Sequence, residues 1–264
     1  MGFRSTFAVF IVFLIFLVFL SASLLRLTLS LSDFKASPSR KYPSGVPDKF
    51  DPDGNVQHFP GNTIICHLSN STELYSSLMI LYGRLTQSPL SHLYELLPPS
   101  SWHMTVFEGV VDKMREPGYW PSNLAMNASL EECTALYENE LSSFDLQTDL
   151  PYHLSIVGFE PLKNGISLHI EPHMTDNRAL RGLRERLADL LQIRHPNHDR
   201  YGFHVSLAYL LRHLTDDQKP ELKSLLMDHF RDMPKEFELG PPEFCKFEDM
   251  FGFEPLFYLK NRGN

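Results

Sequence analysis

Cysteine is scarce: three in 264 residues cannot frame a chain of this length, so a disulfide-stapled scaffold is excluded. No Gly-x-Ser-x-Gly elbow, Gly-rich phosphate loop or Gly-x-Gly-x-x-Gly fingerprint occurs. That removes the usual motif routes to serine-hydrolase, nucleoside-triphosphate and dinucleotide chemistry. Positive charge is also short, with 24 Lys and Arg against 32 Asp and Glu and a formal net charge of −8. A protein that wraps long nucleic acid needs clustered cations to displace counterions, so that partner is not expected. What the chain does have is 43% hydrophobic residues, which excludes disorder and suffices for one large domain or two small lobes.

The apolar residues are unevenly placed. Ser5 to Leu25 carries no charge, and Phe7 to Leu20 holds only Phe, Ala, Val, Ile and Leu. A stretch of about 20 such residues is long enough to span a bilayer as a helix. Residues 1–31 therefore read as an N-terminal membrane anchor or signal segment. A cleaved signal peptide ending near Ser21-Ala22-Ser23 is the alternative, and a retained single-pass signal-anchor is favoured because apolar residues resume at Leu24. Basic residues after the span place the body in the cytosol, whereas the glycosylation sequons at Asn70 and Asn127 place it in the lumen, the side slightly favoured.

Residues 32–61, with Pro38, Pro43, Pro47, Pro52 and Pro60, read as a Pro/Ser-rich linker. Residues 62–264 form the folded body. From residue 61 onward it carries 18 Lys and Arg against 28 Asp and Glu, so its shell is more acidic than the whole. Periodicity predicts strands at Thr63–Leu68, Ser101–Val110, His153–Phe159, Ile166–Ile170, Phe203–Leu210, Phe244–Phe247 and Leu256–Leu259. Helices are expected around Leu74–Leu85, after the Ser129/Glu132 capping box, over Asp176–Ile193 and over Thr215–Phe230. Strand, helix and strand pair recur in each half. Gly-Phe-Glu-Pro-Leu also occurs at both 158–162 and 252–256, which favours two similar lobes in an α+β (mixed α/β) fold.

The sharpest signal is a pair of matching strands. Trp102-His103-Met104-Thr105-Val106 and Phe203-His204-Val205-Ser206-Leu207 both read apolar-His-apolar-hydroxyl-apolar. Alternate strand residues share a face, so His103 accompanies Thr105 and His204 accompanies Ser206. If the lobes pack about a pseudo-two-fold axis, both pairs line one groove. One neutral imidazole can then take a proton from attacking water while the other, protonated, donates to the leaving oxygen. The hydroxyls can donate to non-bridging phosphate oxygens.

These motifs, with Asn62–Leu68 and Tyr201–Tyr209, resemble the two-histidine phosphoesterase superfamily, and most of all its branch called domain of unknown function 1868. The resemblance covers residues 60–260. It implies a bilobal fold of two pseudo-symmetric antiparallel-rich sheets with outer helices around a central groove, and it carries catalytic roles onto His103, Thr105, His204 and Ser206. The expected activity is metal-independent hydrolysis of a cyclic phosphate, a 2′,3′-cyclic nucleotide or short RNA end, by a monomer without cofactor. The alternative is a catalytically idle nucleotide- or phosphate-binding module using the same groove.

By strand parity His67 and Phe107 also face the groove, as candidate substrate contacts, while Tyr209 points to the core unless a bulge re-aims it. Two further His-x-hydroxyl pairs, His153/Ser155 and His173/Thr175, read as a strand entry and a loop before a helix. Arg178, Arg181, Arg184 and Arg186 read as a solvated helix face. His195 and His198, in a Pro/Asn loop, are not expected to hold a metal.

Overall fold

The computed structural model describes residues 40–262. Its compact unit begins at Tyr42, so residues 42–61, read above as linker, belong to it. Phe50 is fully buried and Phe59 nearly so, because each brings a large apolar ring that water would expose at a cost of about 2 kcal/mol.

Nine strands make one antiparallel sheet. They are β1 (Gly61–His67), β2 (Tyr94–Leu96), β3 (His103–Val111), β4 (Tyr152–Phe159), β5 (Gly165–Pro172), β6 (His204–Leu210), β7 (Glu236–Leu239), β8 (Glu243–Asp249) and β9 (Gly252–Tyr258). The order β7-β4-β5-β6-β3-β1-β8-β9, with β2 on β6, divides into two four-stranded halves joined where β6 meets β3. The two lobes are thus halves of one continuous sheet. The repeated pentapeptide does not report this symmetry. Its first copy ends β4 and its second opens β9, which are not equivalent places.

Among the described residues four α-helices complete the α+β fold: α1 (Glu73–Thr86), α2 (Leu130–Ser142), α3 (Met174–Leu191) and α4 (Gln218–Asp232). Helix α1 buries Leu74, Leu78, Leu81 and Leu85, the stripe its spacing predicts. The α2 capping box forms as expected: Glu132 N donates to Ser129 Oγ at 3.1 Å, and Ser129 N donates to Glu132 Oε2 at 2.7 Å. Helix α3 starts earlier than expected, at Met174 with His173 as N-cap, and Arg184 lies in its buried face.

Among the described residues no helix is long and apolar enough to cross a membrane. The expectation of a membrane-localised chain with a transmembrane signal-anchor is corrected accordingly. The apolar run over residues 5–25 on which it rested lies outside the described residues.

Candidate active site

The site forms where the two halves of the sheet meet. Met104 pairs with Val205 across the β3–β6 ladder, and each is the middle residue of a His-x-hydroxyl motif. Strand alternation sends both middles into the core, where they are fully buried. It sends His103, Thr105, His204 and Ser206 to the opposite face, where all four are half-buried. In an antiparallel ladder about Met104 and Val205, His103 lies across from Ser206 and Thr105 across from His204. Each imidazole is therefore next to the other strand's hydroxyl.

The two rings are held by the same device. His103 Nδ1 donates to the Ser101 carbonyl at 2.7 Å, and His204 Nδ1 donates to the Gly202 carbonyl at 2.9 Å. A carbonyl only accepts, so the neutral rings carry their proton on Nδ1 and keep Nε2 free for proton exchange. Burial pushes the His103 imidazolium down to about 3, with repulsion from His67, His204 and Lys49 adding to it and the Ser101 bond opposing it. His103 is thus neutral at physiological pH.

That depression also has a consequence for stability. Between about 3 and the ordinary histidine value of 6.5, the unfolded chain holds the extra proton and the folded chain does not. Stability therefore rises with pH through this window and is lost on acidification. Urea midpoints measured from pH 3.5 to 7.5 are expected to climb less steeply in His103→Gln than in the wild type. His198 and His229, also lowered by burial, contribute the same sign in both proteins.

Thr105 lies near the Tyr201 phenol, whose ring centroid lies 5.9 Å from that of His204. Ser167 Oγ donates to Ser206 Oγ at 3.3 Å. Phe253 of β9 lies edge-on to His103, with centroids 4.3 Å apart. A glycine is required at 165, where a Cβ would meet the Ala208 carbonyl at 2.3 Å, so β5 can approach β6 at this point.

Matching register shifts follow the two motifs. Ile65 pairs with Thr105 but Ile64 with Phe107, and Ser167 pairs with Ser206 but Ile166 with Ala208. One extra residue, Val106 or Leu207, is inserted after each hydroxyl, and the inserted residue inverts parity downstream. This corrects the expectation for Phe107, which is 1% exposed and packs edge-on to His198 at 6.0 Å. It also turns Tyr209 out of the core. Lys49 Nζ donates to Tyr209 Oη at 2.9 Å and lies 4.8 Å above its ring. Lys49 is the cation whose field reaches His103, and its place in a proline-rich run concealed it.

The strands outside the motifs add a second histidine on each side. His67 pairs with His103 across β1–β3, and His169 pairs with His204 across β5–β6. Directly opposed residues share a face, so four histidines lie side by side on β1, β3, β6 and β5. The His67 and His103 ring centroids are 6.1 Å apart, which places His67 where parity expected it. Each outer histidine is tied to a carboxylate: His67 Nδ1 lies 2.8 Å from Glu243 and His169 Nδ1 lies 3.0 Å from Glu160. His169 had no signal in the sequence, because only the β5–β6 register puts it beside His204.

The remaining motif-like residues lie elsewhere. His153 and His173 stack at 6.1 Å among Asp176, Glu236 and Glu238 at the β4–β7 edge. Arg184 is not solvated. Its guanidinium is buried, donating to the Val106 carbonyl at 2.7 Å and the His198 carbonyl at 3.3 Å. Cys66, Cys133 and Cys245 are buried free thiols.

A family model described as 2H-phosphodiest, domain of unknown function (DUF1868), matches residues 49–165. That span holds Lys49, His67 and the first motif. The second motif lies beyond it and is brought to the first by the β3–β6 pairing. A crystal structure of the conserved protein of unknown function ATU0111 from Agrobacterium tumefaciens is similar at 27% identity with a TM-score of 0.76, over 83% of this chain and 94% of that one. TT0787 of Thermus thermophilus is similar at 14% identity with a TM-score of 0.43, over 76% of this chain and 98% of that one. No curated protein matches.

Proposed function

We propose that the chain, whose residues 49–165 match the family model described as 2H-phosphodiest, domain of unknown function (DUF1868), hydrolyses a cyclic phosphodiester on a small nucleotide or short RNA end. The observation that carries the reading is the crossed pair of Nδ1-anchored histidines on either side of Met104 and Val205. His103, neutral at physiological pH, is assigned as base. A phosphate anion bound beside it favours its charged form, which raises its basicity toward the attacking water. Water loses that proton to His103 Nε2 as its oxygen bonds to phosphorus. The ring P–O bond breaks, and the leaving oxygen takes a proton from His204 Nε2, giving a phosphomonoester. Thr105 and Ser206 donate to the non-bridging oxygens, and Lys49 supplies positive charge in a body that is otherwise acidic.

Purified protein in EDTA is expected to turn over a nucleoside 2′,3′-cyclic phosphate. Calorimetric binding of that ligand with no product would favour the idle binding module instead. Lys49→Met is expected to raise KM about tenfold with a smaller change in kcat, since a charge-assisted contact to phosphate is worth about 1.5 kcal/mol. Steady-state kinetics on the same substrate checks this, and an unchanged KM would remove Lys49 from the phosphate site.

A further inference from the structure

We infer that His67, Glu243 and Cys245 form a binding site for one divalent ion of the zinc type. Their ligand atoms all lie within 4.8 Å of one another. Two strands bring them together: β1 ends at His67, and β8 places Glu243 opposite Ile65 and Cys245 opposite Thr63, all on the face that carries His103. The donors are one imidazole nitrogen, one carboxylate oxygen and one sulfur. That set suits zinc or cobalt far better than magnesium or calcium, which take oxygen ligands.

Burial and charge point the same way. Cys245 is fully buried and Glu243 is 6% exposed. Both Glu243 oxygens turn toward His67, one 3.2 Å from its backbone nitrogen and one 2.8 Å from Nδ1. The Cys245 thiol points to the Glu243 carbonyl at 3.8 Å. When the ion binds, Cys245 Sγ releases its proton to solvent, and the neutral His67 imidazole ligates through Nδ1 with its proton on Nε2. A doubly positive ion with one carboxylate, one thiolate and a neutral imidazole is then electrically neutral, which a mostly buried site tolerates. His67 is the most exposed member, with 21% of its side chain accessible, so a fourth position opens toward the groove for water. The other His/carboxylate cluster, Glu185 with His198 and Asp199, differs in a decisive way. Arg194 already places a cation 2.7 Å from Glu185 and 3.4 Å from Asp199.

Its ligands adjoin His103 but include neither His103 nor His204, so the EDTA assay above leaves both catalytic imidazoles in place. The test is a Co²⁺ titration of metal-stripped, reduced full-length protein followed by absorption. Thiolate-to-cobalt charge transfer in the near ultraviolet and the visible bands of four-coordinate Co²⁺ are expected, saturating at one ion per chain and reversed by Zn²⁺. Cys245→Ser is expected to lose the charge-transfer band. His67→Gln, which keeps an amide to face the Glu243 carboxylate, is expected to weaken Co²⁺ binding at least tenfold. Cys133→Ser is expected to leave the titration unchanged. No sulfur-to-metal band in the wild type, or a wild-type titration in His67→Gln, would overturn the proposal.

Discussion

Replacing His103 or His204 with alanine is expected to lower turnover of a nucleoside 2′,3′-cyclic phosphate by about 10² to 10⁴ for each residue. Both losses should fall on kcat, because proton transfer belongs to the transition state and not to ground-state binding. The two rings differ in surroundings. His103 sits against Phe253 and next to His67, whereas His204 is opposed by the more exposed His169. The acid limb of the pH–rate profile should therefore differ between the variants. Removal of His103 abolishes the base and leaves a rate that external imidazole can partly restore, measured as a concentration-dependent rescue. Wild-type kinetics in either alanine variant would disprove the assignment of that residue.

Arg184→Met is expected to cost the largest share of stability of any change near the site, about 2–4 kcal/mol. The guanidinium is buried and donates to the Val106 and His198 carbonyls, and methionine leaves both acceptors unsatisfied in the core. For a domain of this size the loss corresponds to a drop in Tm of roughly 5–15 °C, read by circular dichroism. Val106 is the inserted residue directly after Thr105, so the same substitution loosens the strand that aims the first motif. Arg184→Lys is expected to rescue little, since an ammonium cannot reproduce the planar fork that reaches two carbonyls. A Tm within 1 °C of wild type in Arg184→Met would show that the bulge carbonyl finds another donor, contrary to this account.

Arg184 also shows how much the sequence made legible. It lies four residues after Leu180 and three before Leu187, in the apolar stripe of α3. The periodicity that identified the helix therefore marked its burial, yet its charge and its Arg and Glu neighbours favoured a solvated reading. The motif residues themselves were readable because period-2 alternation holds without interruption from His103 to Thr105 and from His204 to Ser206. It fails two residues later, at Phe107 and Ala208. An inserted residue has no signature in side-chain chemistry, so parity misplaced Phe107 in the groove and Tyr209 in the core.

Other parts depended on long-range pairing. His169 is an ordinary strand residue until β5 is laid against β6, an approach that Gly165 permits at one end. Lys49 was hidden in a run whose prolines suggested a linker, although Phe50 and Phe59 beside it are the aromatic anchors that fold that run onto the body. The short β2 and β7 carry too few residues to show periodicity, and both were missed. The two lobes were correctly expected, but the repeated pentapeptide that suggested them is unrelated to the axis. The symmetry resides instead in the paired motifs, the two bulges and the two outer histidines.

The central claim is that His103 and His204 act as one unit on one phosphate. The most direct measurement is a double-mutant cycle on kcat for 2′,3′-cyclic nucleotide hydrolysis in EDTA, with each variant's fold checked by circular dichroism. The account predicts that the double alanine variant loses scarcely more than the worse single variant, because either loss already breaks the concerted proton transfer. Losses that multiply, so that the double variant falls by the product of the two, would mean that the histidines act independently and would contradict it.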